Sequence, residues 1–160
     1  MLRNFRLVGF FLFIISGITF SQSKDVYRPV DEFDPNRNGA KDIQDAVVEA
    51  QKVNKRIILD VGGDWCIWCH RIDNFIESHK GINDYLYKNF ILIKINYSKE
   101  NKNEELLSKY PEIPGYPHFF VLESNGKLLH SQNTGELEQD KGYSDEKMMI
   151  FLKKWAPEKE

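Results

Sequence analysis

The chain has 160 residues, of which 41% are hydrophobic and 29% are charged. These values are typical of a soluble globular protein with one domain and its own core. The formal net charge is −2 at pH 7. The composition therefore lacks the positive field that draws in nucleic acid, and we expect no nucleic-acid partner.

Residues 1–21 have the layout of a secretory signal peptide. Arg3 and Arg6 precede an uncharged apolar run at 7–20, and Thr19 and Ser21 suit the −3 and −1 positions of a cleavage site. The run is shorter than the ~20 residues that a membrane span needs, although an uncleaved anchor is the alternative. The sequence predicts cleavage after Ser21 and a periplasmic or extracellular protein.

Two further segments follow the signal peptide. Residues 22–40 are polar and contain prolines and a glycine, which predicts an N-terminal arm or loop. Residues 41–157 are predicted to form the folded domain. Its first element is an amphipathic helix at 42–53, whose apolar residues recur at helical spacing.

The rest of the domain alternates between strands and helices. In chain order the patterns predict a strand at 56–61, a helix to about 79, helical turns at 82–88, a strand at 90–97, a short helix at 103–110, a strand at 118–122, a hairpin turn at 124–127, a return strand from 128, a polar loop at 135–142 and a last helix capped by Ser144. A strand, a crossover and a strand make a parallel pair, and the hairpin adds an antiparallel edge. We therefore expect an α/β fold with a mixed sheet.

Both cysteines of the chain lie in the run Trp65-Cys66-Ile67-Trp68-Cys69-His70. Cys-x-x-Cys is typical of redox-active dithiols, whereas Cys-x-x-Cys-His is also the attachment motif of c-type haem. Haem needs a second axial ligand, and the strand-rich context is unlike a small cytochrome. A structural staple is a further alternative, but the closed loop is too short to restrict the unfolded chain much.

The motif lies where a buried strand passes into a helix. The partial positive charge and free N–H groups of a helix N-terminus favour a thiolate. We therefore expect Cys66 to be the exposed nucleophile and Cys69, one turn later, to lie beneath it. His70 is either an exposed residue of the first helical turn or a group that tunes the cysteine pair.

The sequence resembles the thioredoxin superfamily over residues 42–155. The resemblance rests on the strand and dithiol run at 57–69, on Lys-Ile-Asn at 94–96, and on Ile-Pro-Gly-Tyr-Pro at 113–117. More narrowly, it resembles secreted thioredoxin-like proteins with a Trp-Cys-x-x-Cys site. It implies a thioredoxin-like fold, with a central mixed β-sheet flanked by helices, and thiol–disulfide oxidoreductase activity.

The resemblance also implies roles for two charged residues. Asp60 matches a buried aspartate that accepts the proton of the second cysteine, here Cys69, and Lys94 matches a lysine near that aspartate. A carboxylate that caps a turn is the alternative for Asp60. A solvated lysine is the alternative for Lys94.

Pro117 matches the proline that faces the dithiol through a cis peptide bond. This would leave the backbone of Tyr116 free to pair with an extended substrate. Trp65, Trp68 and Tyr116 would form an aromatic rim around Cys66. For each aromatic residue, simple packing is the alternative.

The dipeptide between the cysteines departs from the common members of the superfamily. Ile67-Trp68 carries no histidine that would stabilise the reduced thiolate, which favours a reductant over an oxidant. Expected partners are protein thiols and disulfides and a membrane-borne dithiol electron donor, and a monomer is expected. The activity requires no organic cofactor or metal, because the redox centre is the Cys66–Cys69 pair.

Two other functions remain as alternatives. Cys66, Cys69 and His70 together could hold a soft metal such as Cu(I), which would make the protein a secreted binding module. A redox-inert adaptor that uses the fold only to bind partners is the second. The intact cysteine pair favours the redox function over both.

Overall fold

The structure, a computed structural model, describes residues 27–158. The predicted signal peptide at 1–21 and the first residues of the predicted arm lie outside this range. Between residues 27 and 158, none of the helices has both the length and the apolar character that crossing a membrane requires.

The described chain alternates between helices and strands as the patterns predict. The elements are α1 (Gly39–Val53), β1 (Arg56–Gly62), α2 (Ile67–Ser78), α3 (Lys80–Asn89), β2 (Phe90–Asn96), α4 (Glu104–Leu107), β3 (His118–Leu122), β4 (Leu128–Asn133), a 3-10 helix (Thr134–Leu137), β5 (Glu138–Gln139), β6 (Gly142–Tyr143) and α5 (Asp145–Trp155).

The main sheet has the strand order β2-β1-β3-β4. Strand β1 pairs in parallel with β2 and antiparallel with β3, and β4 returns antiparallel to β3. The turn of this hairpin contains Gly126, whose φ of 85° lies in the left-handed region that glycine adopts readily. The mixed sheet of the predicted α/β fold is confirmed.

Each face of the sheet carries its own hydrophobic cluster. Helices α2, α3 and α5 cover one face, where Ile58, Leu92 and Val121 are buried. Helix α1 covers the other face, where Ile57, Leu59 and other alternate strand residues are buried. Because successive strand residues point to opposite faces, this two-sided burial explains why the central strands are almost entirely apolar.

Three local predictions differ from the structure. Helix α1 begins at Gly39 rather than 42, because the side chain of Asn38 accepts a hydrogen bond from the backbone N–H of Lys41 at 3.1 Å and caps the helix. The predicted helix at 103–110 shortens to the single turn of α4. The predicted polar loop at 135–142 contains a 3-10 turn and the β5–β6 ribbon.

The described part of the arm crosses the edge of the sheet. The backbone N–H of Lys94 on the edge strand β2 donates to the carbonyl of Val30 at 2.9 Å. Val30 is buried in the cluster on the α1 face. Phe33, three residues later, is buried against the cysteines. The arm therefore passes from the α1 face to the face that carries the dithiol.

Candidate active site

Cys66 and Cys69 form a disulfide at the N-terminus of α2, with their Cα atoms 5.2 Å apart. Cys66 is the N-cap residue, and its Sγ accepts a hydrogen bond from the backbone N–H of Cys69 at 3.1 Å. The backbone N–H of Cys69 and the positive end of the helix dipole therefore point at Cys66 Sγ. This is the placement that the strand-to-helix junction predicts.

Cys66 is less accessible than the sequence predicts. It is 4% exposed in the disulfide form, and Cys69 is fully buried. The difference arises because Phe33, Trp68 and Tyr116 pack around the pair. The prediction of an exposed Cys66 is wrong for this state, because it considered the helix start alone and not the side chains that converge on it.

Gly62 and Gly63 let the backbone approach the disulfide closely. A Cβ at Gly62 would lie 2.5 Å from Cys69 Sγ and 3.1 Å from Cζ of Phe33. A Cβ at Gly63 would lie 2.8 Å from the carbonyl oxygen of Tyr97. Both positions thus require glycine for steric reasons.

Asp60 lies beneath the dithiol in the middle of the sheet. Side chains alternate along β1, so Asp60 shares a face with Gly62, the residue against which Cys69 Sγ packs. Asp60 is 1% exposed, and its Oδ1 has no hydrogen-bond partner in the part of the chain that the structure describes. The alternative of a turn-capping carboxylate is therefore wrong.

The burial of Asp60 sets its acidity. Desolvation raises the pKa of Asp60 to about 7; the positive charge of Lys94 opposes this rise, and the negative charge of Asp73 adds to it. A carboxyl group with this pKa is partly protonated near neutral pH and can both accept and release a proton there. The solvated carboxyl group of an ordinary aspartate is almost fully ionised at that pH.

Lys94 is the neighbour of Asp60 in the parallel β1–β2 register. Its side chain is only 10% exposed, and its ammonium forms an ion pair with Asp73 of α2. The ammonium also lies 4.5 Å from the centre of the Phe33 ring. The alternative of a solvated lysine is wrong, since three groups from three different segments surround this side chain.

The loop opposite the dithiol contains a cis peptide bond between Tyr116 and Pro117, as the resemblance implies. The carbonyl of Pro117 accepts a hydrogen bond from Thr134 Oγ1 at 2.5 Å. The Tyr116 ring stacks on Tyr97, with ring centres 4.7 Å apart. This stacking holds Tyr116 beside the cysteines.

The two tryptophans of the motif point in different directions. Trp65 is 59% exposed, contacts Tyr116 edge to face, and donates its indole N–H to the carbonyl of Tyr97 at 2.7 Å. Trp68 is half-buried, packs edge to face on Tyr143, and carries the guanidinium of Arg71 over its ring at 4.3 Å. Trp65 is thus the more accessible of the two.

His70 is exposed on α2, and its Nε2 lies 2.8 Å from the carbonyl oxygen of Asp64. The imidazole is therefore engaged with the backbone before the motif. Between residues 27 and 158, no group of three or more His, Cys, Asp or Glu side chains lies close enough to hold a metal ion.

The sequence analysis missed Phe33, Asp73 and Tyr97, which all contribute to the site. Phe33 is the single aromatic residue in the acidic run Asp-Glu-Phe-Asp at 31–34, and an isolated apolar residue of this kind was the available signal. Asp73 follows Cys69 by four residues, one helical turn. Nothing in the sequence indicates that Tyr97 stacks on Tyr116.

A sequence model of the thioredoxin-like proteins matches residues 38–124, more than half of the chain. The chain belongs to this thioredoxin-like family. The thiol:disulfide interchange protein DsbD of Pseudomonas fluorescens is 26% identical to this thioredoxin-like chain over 121 residues, which are 74% of this chain and 19% of DsbD. The chain thus spans about a fifth of the length of that relative.

Solved structures confirm the thioredoxin-like fold. A disulphide isomerase from Xylella fastidiosa Temecula1 has a TM-score of 0.65 and 24% identity, and the match covers 76% of this chain and 94% of the isomerase. The reduced C-terminal domain of DsbD from Neisseria meningitidis has a TM-score of 0.54 and 21% identity, with 74% of this chain and 96% of that domain covered. At these identities the likeness concerns the fold.

Proposed function

We propose that this thioredoxin-like chain is an exported thiol–disulfide oxidoreductase that reduces disulfides of other proteins. The observation that carries the proposal is the arrangement of the redox pair. The Cys66–Cys69 disulfide caps a helix N-terminus on the same sheet face as Asp60, a buried carboxyl group with a pKa of about 7. The names of the relatives, a thiol:disulfide interchange protein and a disulphide isomerase, agree with this activity.

The reaction begins with the reduced pair. The Cys66 thiolate attacks one sulfur of the substrate disulfide, and the second substrate sulfur leaves with the electron pair and takes up a proton. Cys69 then attacks Cys66 Sγ, the mixed disulfide breaks, and the first substrate sulfur leaves as a thiolate. The substrate gains two electrons, and the Cys66–Cys69 disulfide closes.

Asp60 supplies the proton acceptor for the second step. Cys69 is fully buried, so its thiol proton has no direct path to bulk water. The Asp60 carboxylate on the same face accepts this proton, and its raised pKa brings its proton affinity closer to that of a thiol. Lys94 and His70 are proposed to tune the pair, Lys94 through its charge next to Asp60.

Substrate capture is assigned to the loop of Tyr116 and Pro117. An extended substrate segment would pair with the backbone of Tyr116 and place its disulfide over Cys66. Trp65, which is 59% exposed, would cover the substrate on one side, and the half-buried Trp68 would supply less surface.

The charges around the pair support the proposed direction of electron flow. No histidine lies between the cysteines. In the groove next to Phe33, acidic side chains outnumber the basic groups Lys94 and His70; the acidic ones are Asp31, Glu32, Asp34, Asp64 and Asp73. Negative charge destabilises a thiolate relative to the disulfide, which lowers the reduction potential. The excess of acidic groups therefore supports the proposal that the protein acts as a reductant. In the periplasm or outside the cell it would receive its electrons from a membrane-borne dithiol carrier.

Single-cysteine variants test the mechanism. We expect Cys66→Ser to abolish reduction of a protein disulfide by the exported chain with dithiothreitol as the electron source, because the nucleophile is lost. We expect reduced Cys69→Ser, once dithiothreitol has been removed, to stop after one covalent complex, because the mixed disulfide has no resolving thiol. Gel shift under non-reducing conditions measures the complex. Full activity of Cys66→Ser would contradict the proposal.

The equilibrium with a glutathione series tests the direction. A potential near or below about −270 mV supports a reductant, whereas one near about −120 mV would identify an oxidant. Titration of the reduced chain with Cu(I) is the companion measurement. Tight copper binding without a two-electron transition would replace the redox function by the metal-binding alternative.

A further inference from the structure

Phe33 of the N-terminal arm forms one wall of the disulfide site. Its ring is 4% exposed and packs with Cys66 and Cys69 in a cluster of their own. Its Cζ and Cys69 Sγ both crowd the point where Gly62 would carry a Cβ, at 3.1 and 2.5 Å. The ring therefore covers the side of the pair on which Cys69 lies.

Contacts on both sides hold the ring in place. Before it, the carbonyl of Val30 accepts a hydrogen bond from the backbone of Lys94. After it, the carbonyl of Pro35 accepts one from Asn101 Nδ2 at 2.9 Å. The ammonium of Lys94 lies over the ring itself, 4.5 Å from its centre. The arm is thus docked at three points around Phe33.

We propose that Phe33 determines which sulfur of the pair reacts, by closing the approach to Cys69 and leaving Cys66 as the site of exchange. This inference deepens the proposed oxidoreductase function and rests on it. An attacking thiolate needs a line of approach to the sulfur, so a wall against one sulfur selects the other. Away from Phe33, Tyr116 packs against the cysteine cluster and the exposed Trp65 contacts Tyr116, and a protein substrate is assigned to bind on this side.

Which sulfur is attacked matters because the two cysteines have different roles in the exchange reaction. When a thiolate attacks Cys66 Sγ of the disulfide, a bond forms to Cys66, the Cys66–Cys69 bond breaks, and the electron pair stays on Cys69. Cys69 then takes up a proton, and the nearby Asp60 carboxyl group can supply it. Attack at Cys69 would instead leave the electron pair on Cys66 and place the mixed disulfide in the interior, away from the substrate face.

The test measures access to Cys69 in reduced Cys66→Ser protein, in which it is the single thiol. Its thiolate displaces iodide from iodoacetamide, and mass spectrometry follows the product. We expect Phe33→Ala to raise the rate constant about tenfold, because the wall is removed. Rates at several pH values separate a change in access from a change in the thiolate fraction. Phe33→Leu, which keeps an apolar wall, should stay near the parent rate.

Val30→Ala is the matched control, since Val30 is a buried arm residue in the cluster on the opposite face of the sheet. We expect it to change the rate less than twofold. An unchanged rate in Phe33→Ala overturns the inference, and so does an equal increase in both variants, which would show that the whole arm undocks. The assay contains no substrate disulfide, so failure of the proposed function would appear in the reduction assay and not here.

Discussion

At the residue scale, the site contains a carboxyl group, that of Asp60, whose acidity the sequence alone does not fix. Asp60 stands in an apolar strand, which already indicated a special role. Its pKa of about 7 comes chiefly from desolvation, because the sheet and the helices on its face exclude water. Lys94 reduces the rise, but its ammonium is shared with Asp73. Burial and two charged residues distant in sequence, Lys94 and Asp73, thus set the acidity of Asp60.

We expect Asp60→Asn to change how stability depends on pH. The folded protein holds the Asp60 proton up to about pH 7, whereas the unfolded chain releases it near pH 4. Between these values the unfolded state binds fewer protons, so the free energy of unfolding of the wild type falls as pH rises. The asparagine variant lacks this loss, so its free energy of unfolding relative to the wild type should rise between pH 4 and pH 8, by about 1.4 kcal/mol for each unit of pKa shift.

Urea unfolding of the oxidised protein at pH 4, 6 and 8 measures this difference. Asp64→Asn removes an exposed carboxylate beside the site and controls for the change in net charge. Parallel pH profiles of wild type and Asp60→Asn would contradict the raised pKa.

Asp60→Asn should also slow the attack of Cys69 on the mixed disulfide, because the proposed acceptor of the Cys69 proton is lost. Quenched flow measures the rate of this step.

At the element scale, the capping residue decides where helix α1 starts. Helix α1 starts three residues before the predicted position because Asn38, and not its apolar periodicity, defines its first turn. Asp42 in that first turn forms an ion pair with Arg37 at 2.5 Å, which ties the helix start to the arm. The Asn38 cap and the Arg37–Asp42 ion pair thus both stabilise the N-terminus of α1.

We expect Asn38→Ala to lower the free energy of unfolding by about 1 kcal/mol, because the N–H of Lys41 loses its acceptor. Asn38 is exposed, so the substitution removes no core packing. Asn38→Asp is the matched variant, since it keeps the acceptor and adds a negative charge at a helix N-terminus. It should be at least as stable as the wild type in urea, and a loss equal to that of the alanine variant would contradict the capping role.

At the scale of the whole molecule, Arg56 joins the beginning of the central strand β1 to the C-terminal end of α5. Its guanidinium forms an ion pair with Glu123 after β3 at 3.0 Å. It also donates at 3.1 Å to the carbonyls of Trp155 and Ala156, at the C-terminus of α5. A cation at this end of a helix also interacts favourably with the helix dipole.

We expect Arg56→Met to cost about 2 kcal/mol of unfolding free energy, because it leaves a partly buried carboxylate and two carbonyls without their charged donor. The methionine keeps most of the apolar stem. Lys80→Met is the control, since its ion pair with Asp84 is exposed and should contribute less than about 1 kcal/mol. Equal losses in the two variants, measured by urea unfolding, would contradict the role of Arg56.

The sequence predicted the layers of the fold because each main strand has a local signature. Strands β1 and β2 are continuous apolar runs, and the hairpin turn of β3 and β4 contains Asn-Gly. The motif at 65–70 gave the position of the disulfide, and the resemblance gave Asp60 and Pro117. The pattern missed the 3-10 turn and the β5–β6 ribbon, whose few residues are too short to show any periodicity.

The sequence by itself determined the order of the main strands and helices and the placement of the cysteines at a helix start, because each depends on neighbours within one or two turns of chain. The tertiary structure alone decided that Phe33 covers Cys69, that Asp73 takes the ammonium of Lys94, and that Cys66 is nearly buried. Phe33 and Cys69 are 36 residues apart in sequence, Asp73 and Lys94 are 21 apart, and the position of Phe33 depends on how the arm crosses the edge strand. No local pattern encodes that path, since it results from packing against two faces of one sheet.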